Sequence, residues 1–233
     1  MDHRFDRVEH ASLGGNVYAH LRDSLISGQL KPDDRLRIRE LAEQFGTSVT
    51  PVRDAILRLC KEQVLEMRSA RDIRVPVIDV AQYDEIYRLR LELEGMAAAL
   101  AAANIEAAGV EELTRQVEDN HRAIAAGDMA KAMKLNQQFH FALAALAESP
   151  LLERFIDSLW MRAGPVIALA YRAFSERVAI QHHWEVLEAL ERRDADAARA
   201  AIRRDIEDGY EMMTRFLNSM QSDAESRRRN TRR

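Results

Sequence analysis

The chain has 233 residues, is 47% hydrophobic and carries a formal net charge of −4. This length and apolar fraction suffice for one large domain or two moderate ones. The single cysteine, Cys60, excludes an intramolecular disulfide framework and fits a reducing compartment. No apolar run approaches the roughly 18 residues of a membrane span, so we expect no membrane partner and a cytoplasmic location.

Charge is distributed unevenly along the chain. Residues 1–78 carry 13 Lys and Arg against 12 Asp and Glu, whereas residues 79–221 carry 16 against 24. Residues 222–233 carry five Arg against two acids. An acidic body does not attract nucleic acid by itself, so any DNA contact must be concentrated in the N-terminal part.

The N-terminal part contains three helical patterns and one pair of strand patterns. Apolar spacing predicts helices over 17–26, 38–45 and 52–59, with Gly46 ending the second of them. Two short helices joined by a tight polar turn form a helix-turn-helix pattern. Alternating segments at 64–67 and 73–77 then predict a β-wing, with a basic turn between them.

The start of the last of these three helices suits contact with DNA. Ser48 and Thr50 provide hydroxyl groups, and Arg53 lies within one turn of the helix N-terminus. Free backbone N–H groups, hydroxyls and an arginine suit phosphates and base edges. The alternative is that short helices with an occasional arginine are common on any protein surface.

The segment LISGQLKPDDRLRIRELAEQFGTSVTPVRDAILRL resembles the N-terminal domain of the GntR family of bacterial transcription regulators. The resemblance implies a winged helix-turn-helix that binds double-stranded operator DNA. The residues that it assigns to DNA contact are Arg35, Arg39, Ser48, Val49, Thr50, Arg53 and Arg71.

Three positions depart from the family pattern. Asp34 stands where the family usually has glycine, Val49 where an arginine often contacts DNA, and Asp72 where the wing tip usually has glycine. Val49 suits apolar contact with a thymine methyl group. Asp72 would repel phosphate at the wing, whereas Arg71 and Arg74 supply positive charge nearby.

Beyond residue 78 the sequence predicts only helices. Asp79, Asp128 and Asp194 are suitable N-caps for three of them. The predicted helices lie near 80–103, 106–126, 128–147, 150–173, 175–192 and 194–220. The fold class is therefore mostly α, with a winged helix-turn-helix at 1–78 and an all-helical domain at 79–221, for which the resemblance described next implies effector binding and dimerisation. Residues 222–233 are predicted to be a disordered basic tail.

The helical region resembles the FCD domain, the ligand-binding domain of the FadR-like subfamily. The matching segments are YRLRLELEGMAAALAA, NQQFHFALAALAESPLL and HWEVLEALERRDADAARAAIRRD. In many members of that family a carboxylate and three histidines hold a divalent metal inside the bundle. The corresponding residues here are Asn136, His140, His183 and Asp205, with Asn in place of the usual Asp and Asp in place of the last His.

Two imidazoles and one carboxylate suit Zn, Ni, Mn or Fe with open coordination positions, although an amide is a weaker ligand than a carboxylate. The alternative is that His140 and His183 are hydrogen-bonded core histidines. The neighbouring His182 is expected to face solvent.

Arg90 corresponds to an arginine that family members use to bind an acidic effector, and a planar guanidinium suits a carboxylate. The effector residues predicted on this basis are Arg90, Asn136, His140 and His183. The alternative for Arg90 is a structural pair with Glu94, four residues later. Trp160, Met161, Arg162 and Tyr171 are expected to line the same bundle as core residues.

The sequence thus predicts a DNA-binding transcriptional regulator that is not an enzyme. We expect a repressor that a small organic acid releases from DNA, with one divalent ion as a possible cofactor. A homodimer is expected because one helix-turn-helix makes too few base contacts. Two alternatives stay open: a regulator for which the metal ion itself is the effector, and a metal-dependent enzyme that uses the bundle site.

Overall fold

A computed structural model describes residues 12–173 and 181–231 of the protein. The N-terminal part comprises α1 (Ser12–Ile26), β1 (Arg35–Leu36), α2 (Ile38–Gln44), α3 (Val49–Lys61), β2 (Glu66–Ser69) and β3 (Asp72–Arg74). The remainder comprises α4 (Val80–Asn104), α5 (Ala107–Ala125), α6 (Met129–Leu146), α7 (Pro150–Ala173), α8 (Gln181–Glu191) and α9 (Ala195–Thr231). The predicted mostly-α class is confirmed. Within these ranges no helix is long and apolar enough to cross a membrane.

The helix-turn-helix has the two helices that the sequence predicts. Gly46 ends α2 with a φ of +61°, a left-handed conformation that glycine adopts without steric strain. Ser48 is the N-cap of α3, but its side chain accepts no capping hydrogen bond. The apolar face of α3 is buried against α1, so the N-terminus of α3 is held rigidly while its polar face stays exposed.

The wing is a three-stranded antiparallel sheet in the order β1-β3-β2. Met67 lies opposite Ile73, and Leu36 lies opposite Ile73 on the other side. The two-residue strand β1 was not predicted, because its pairing with β3 is not visible in local sequence. The wing turn is at residues 70–71, so the placement of Asp72 at the wing tip was wrong: Asp72 is the first residue of β3.

The predicted N-caps of the helical region are confirmed. Asp79 forms a capping box with Gln82, in which each side chain bonds to the other's backbone N–H. Asp128 and Asp194 each accept from the backbone N–H three residues later, at 3.1 and 3.0 Å.

The last helix extends further than the sequence predicts. α9 continues to Thr231, whereas a disordered tail was expected from residue 222. The segment has no glycine or proline after residue 209, and its Ala, Glu and Arg residues have high helix propensity. Residues 174–180, which include the start of the helix predicted at 175–192, and residues 232–233 lie outside the described residues.

The apolar core crosses the boundary between the two parts. One buried cluster includes Leu25 and Ile56 from the winged helix together with Trp160 and Ile167 from α7. α1 packs against both α3 and α7. At the crossing of α1 and α7, a Cβ atom added to Gly164 would lie 2.7 Å from two carbonyl oxygens of α1. The glycine therefore permits the close approach that joins the two parts.

Candidate functional site

The DNA-facing candidates lie on exposed parts of α2, α3 and the wing. Arg39, Ser48, Thr50, Arg53 and Arg71 are all exposed. Within the described ranges, the side chains of the three arginines form no ion pair or hydrogen bond with another residue. Cationic groups that are not neutralised internally remain available for phosphate. The assignment of individual contacts stays a prediction.

Arg35 and Asp72 are engaged in holding the wing together. Arg35 Nη2 donates to the carbonyl oxygen of Arg71 at 2.7 Å, and its Nε lies 3.5 Å from Asp72 Oδ1. Asp72 Oδ1 also accepts from Arg74 Nε at 2.9 Å. The Asp72 carboxylate is thus neutralised inside the sheet. Val49 is half-buried against the core, which leaves only part of its surface for a base.

A second group of candidates converges inside the helical bundle. His140 on α6, His183 on α8 and Asp205 on α9 place one possible ligand atom each within 4.8 Å of one another. Asp205 Oδ2 is 3.2 Å from His140 Nε2, and Asp205 Oδ1 is 3.3 Å from His183 Nε2. Asn136 is buried one turn before His140, on the same side of α6.

His140 contacts Glu94, which the sequence analysis considered only as a partner of Arg90. Its Nδ1 lies 2.7 Å from Glu94 Oε2 in the interior of the bundle. A carboxylate can only accept, so Nδ1 is the donor and Nε2 faces Asp205. A carboxylate that orients a histidine in this way is the usual support for a metal-ligating imidazole.

The structural pair of Arg90 with Glu94, which the sequence offered as an alternative to effector binding, is present. Arg90 Nε donates to Glu94 Oε1 at 2.5 Å, and both side chains are buried. The Arg90 guanidinium also lies over the ring of Trp160, with Cζ 4.2 Å from the ring centroid. Glu94 therefore joins Arg90 to His140, and Trp160 lies against both, with its ring centroid 5.3 Å from that of His140.

The electrostatics of this cluster favour additional positive charge. Burial alone would raise the pKa of Glu94, but Arg90 and His140 lower it to about 2. Burial opposes protonation of His140, yet the charges of Glu94 and Asp205 raise its pKa to about 9. The pKa of Asp205 is lowered by His183 and His140 in spite of burial. Arg90 balances only one of the two carboxylates, so a proton or a cation is favoured between the other groups.

The residues present fit a divalent metal ion. The His183 ring is fully buried; its Nδ1 has no hydrogen-bond partner among the described residues, and its Nε2 lies 3.3 Å from Asp205 Oδ1 without hydrogen-bond geometry. Buried polar atoms without partners are rare and call for a ligand, an ion or a water molecule. Two imidazoles and a carboxylate are the donors that zinc and similar ions take, at bond lengths of about 2.0–2.2 Å.

His182 is separate from this cluster. It is partly buried rather than solvent-facing, and its Nε2 lies 3.0 Å from Asp208 Oδ2. Its Nδ1 lies 3.2 Å from Glu185 Oε2. His182 and His183, although adjacent in sequence, therefore contact different carboxylates.

Several polar links join the helices of this cluster to the winged helix. Gln137, one turn before His140, donates to the carbonyl oxygen of Ile26 at the end of α1. Arg22 of α1 pairs with Asp157 of α7 and lies 5.5 Å from the ring centroid of Phe141. These contacts connect α6 and α7, near the cluster, directly to α1.

Arg162 provides a further link that sequence reasoning missed. Its Nη2 donates to the carbonyl oxygen of Glu62, at the C-terminal end of α3, at 2.7 Å. The sequence placed Arg162 among bundle-lining residues, whereas it reaches the winged helix. For Glu94 the signal was the four-residue spacing from Arg90, but its contact with His140 depends on the pairing of α4 with α6.

Comparison with known proteins agrees with this architecture. The model of the bacterial regulatory proteins of the gntR family matches residues 13–75, and that of the FCD domain matches residues 85–208. The HTH-type transcriptional regulator McbR of Escherichia coli (strain K12) is 37% identical over 196 residues, which cover 83% of this chain and 89% of McbR. The solved structure of E. coli McbR/YncC has a TM-score of 0.83 at 34% identity, covering 88% of this chain and 99% of that one.

A more distant relative is the probable D-xylose utilization operon transcriptional repressor of Paenarthrobacter nicotinovorans. It is 28% identical over 202 residues, which cover 87% of this chain and 89% of the relative.

A winged helix-turn-helix with an exposed basic face, joined to a helical domain with a buried polar cluster, defines a DNA-binding transcriptional regulator. The chain belongs to the GntR family of bacterial regulatory proteins, and its C-terminal part is an FCD domain.

Proposed function

We propose that this regulator is a repressor, not an enzyme, and that a small carboxylate bound in the FCD domain controls its affinity for operator DNA. The observation that carries the proposal is the convergence of His140, His183 and Asp205 inside the bundle. The name of the D-xylose relative as a repressor supports the sign of regulation. Operator DNA in a bacterium lies in the cytoplasm, which is where we place the protein.

The proposed cofactor is one divalent ion, with Zn, Ni and Mn as candidates. His140, His183 and Asp205 would hold it, and Asn136 would add a weak amide ligand. A bound ion supplies a Lewis-acidic centre with open positions, to which a carboxylate can bind. Glu94 keeps His140 in the tautomer that ligation requires.

The proposed effector site lies around this centre. Arg90 contributes a fixed positive charge to its wall, although Glu94 already occupies one edge of the guanidinium. Asn136, His140 and His183 complete the set of proposed effector-binding residues. Tyr171 is buried, and both burial and the charge of Asp205 raise its pKa, so its hydroxyl stays a neutral donor.

On the winged helix, the proposed operator contacts are those that are exposed and unpaired. Arg39 and Arg53 are the leading candidates, and Ser48 and Thr50 flank the free N–H groups at the start of α3. Arg71 would contact phosphate at the wing tip. For Arg35 and Val49 we propose an indirect role in shaping this surface, since both are partly committed to internal contacts.

We propose a homodimer formed through an exposed apolar face of α4. Leu89, Met96 and Leu100 are 47%, 46% and 38% exposed, and the half-buried Leu93 lies between them. The spacing of four, three and four residues is that of a coiled-coil seam. Two winged helices in a symmetric dimer would read two operator half-sites.

The dimer can be tested by replacing Met96 with Glu, which would place a charge in the seam. We expect the variant to be monomeric in analytical ultracentrifugation. A matched control is Leu151→Glu on α7, where Leu151 is 59% exposed outside the seam. A dimeric Met96→Glu protein would contradict the proposed interface.

Control by an effector can be tested with duplex DNA selected from a random pool by the wild-type protein. The protein is stripped with a chelator and reloaded with zinc, nickel or manganese, and DNA binding is followed by fluorescence anisotropy with and without malate, citrate or 2-oxoglutarate. We expect a carboxylate to weaken DNA binding only in the metal-loaded wild type and not in His140→Ala. A change caused by the ion alone would identify the metal as the effector. No response to any ion or acid would overturn the proposal.

A further inference from the structure

A small cavity lies at the boundary between the winged helix and the FCD domain. Its volume is about 220 Å³, and residues from both parts line it. Val64 and Val75 form the apolar wall on the winged-helix side, and Ile86 and Met161 form it on the FCD side. All four side chains are buried, and the small apolar surface that they present to the cavity lies beside a polar lining of similar extent.

Arg162 lines this cavity and has one side-chain donor without a hydrogen-bond partner among the described residues. Its Nη2 donates to the carbonyl oxygen of Glu62 at 2.7 Å and to Gln63 Oε1 at 3.3 Å. Its Nε is buried and has no partner among the described residues. A buried donor without an acceptor is unfavourable, so this position favours an acceptor oxygen from a bound molecule.

The other polar residues of the lining restrict which acceptor fits. Glu85 and the amides of Gln63 and Gln82 line the same cavity as Arg162. Arg162 is the single cation of the lining and can balance one negative charge, and the exposed Glu85 carboxylate disfavours a second, which argues against a dianion. The volume is below the roughly 300–1,000 Å³ of pockets that hold drug-sized ligands, so the occupant must be small.

We propose that this cavity is a second ligand site, which takes a short-chain aliphatic monocarboxylate. One carboxylate oxygen accepts from Arg162 Nε, and the hydrocarbon chain lies against Val64, Val75 and Met161. The site is distinct from the cluster of His140, His183 and Asp205 and does not need a metal ion.

Such a ligand would act on DNA binding through the domain arrangement. It contacts both domains at once, so it binds most tightly to the arrangement in which both walls are in place. By linkage, it stabilises that arrangement and so restricts the pose of α3 relative to the bundle. Arg162 also bonds to the C-terminal end of α3, which places the ligand next to the helix that carries the DNA-contacting candidates.

The probe for a test is hexanoate, with hexylamine as the chain-matched cation. The full-length protein is labelled with ¹³C at its methionine methyl groups, and Met161→Leu identifies the signal of Met161. We expect hexanoate to shift the Met161 signal saturably, while hexylamine does not. The other eight methionines serve as internal controls for nonspecific binding.

Two variants make the test specific. Arg162→Lys keeps the positive charge but removes the Nε donor, and we expect a loss of hexanoate affinity of at least about tenfold, consistent with a hydrogen bond to a charged group. The double variant His140→Ala/His183→Ala lacks the proposed metal site, and we expect it to bind hexanoate as the wild type does. This separates a failure of the second site from a failure of the proposed metal-linked function.

Three results would overturn the proposal. The first is an unchanged Met161 signal at hexanoate concentrations up to tens of millimolar. The second is a shift that hexylamine reproduces, or that appears equally at the other methionines. The third is unchanged hexanoate affinity in Arg162→Lys, which would show that the Nε donor has no part in binding.

Discussion

The surface proposed to contact DNA and the buried cluster around Glu94 and His140 differ in how their charged side chains are neutralised. Arg39, Arg53 and Arg71 are exposed, and their side chains form no ion pair or hydrogen bond among the described residues, so their charges remain available to an outside molecule. Arg90 and Glu94, by contrast, are buried and bonded to each other. A change at the surface should therefore alter binding and leave folding intact, whereas a change in the cluster should alter folding first.

The largest effect is expected when one member of the buried Arg90–Glu94 pair is replaced by an apolar residue. Glu94→Leu leaves the Arg90 guanidinium buried without its carboxylate and removes the support of His140. We expect the free energy of unfolding to fall by about 3–5 kcal/mol, measured by urea denaturation.

The matched control removes both charges. Arg90→Met/Glu94→Leu eliminates the uncompensated cation, and we expect it to be clearly more stable than Glu94→Leu alone. Equal stability of the single and double variants would show that the unpaired charge is not what destabilises the protein.

The next largest effect is expected where α1 of the winged helix packs against α7 of the FCD domain. Gly164→Ala places a Cβ atom against the backbone of α1, and the resulting overpacking should destabilise the protein by about 1–3 kcal/mol in thermal unfolding. Gly209→Ala on α9 is the control, because nothing lies within 4 Å of its added Cβ. There the better helix propensity of alanine should stabilise slightly. Equal changes at the two glycines would mean that the α1–α7 contact is not tight.

A substitution on the exposed surface should weaken DNA binding and leave the stability of the fold unchanged. Arg53→Ala should weaken binding to the selected duplex by about 10- to 100-fold, the range expected for loss of a base-contacting arginine. Its thermal unfolding should match that of the wild type. Lys61→Ala, at the other end of α3, is the control and should bind DNA nearly as the wild type does. Similar DNA affinity in Arg53→Ala and Lys61→Ala would remove Arg53 from the operator contacts.

The sequence predicts local features well and tertiary ones poorly. The helix-turn-helix and the caps at Asp79, Asp128 and Asp194 follow from short-range chemistry, and the structure has them. The strand β1 pairs with β3, and Asp72 forms an ion pair with Arg35 on β1; both contacts join residues more than 30 positions apart along the chain. Both were therefore missed.

In the buried cluster, too, the sequence identified residues but not the tertiary contacts between them. The family resemblance identified His140, His183 and Asp205, which the structure brings together. The contact of Glu94 with His140 and that of Arg162 with Glu62 join residues 46 and 100 positions apart. No local pattern specifies such contacts, because they follow from how α4, α6 and α7 pack.

The most direct test of the account is the metal content of the purified protein after loading with zinc, nickel or manganese. Elemental mass spectrometry would compare the wild type with His140→Ala, His183→Ala and the neighbouring control His182→Ala. We predict one metal ion per chain in the wild type and in His182→Ala, and none in the other two variants. Absence of metal from the wild type, or its retention in His140→Ala and His183→Ala, would contradict a metal centre at this cluster.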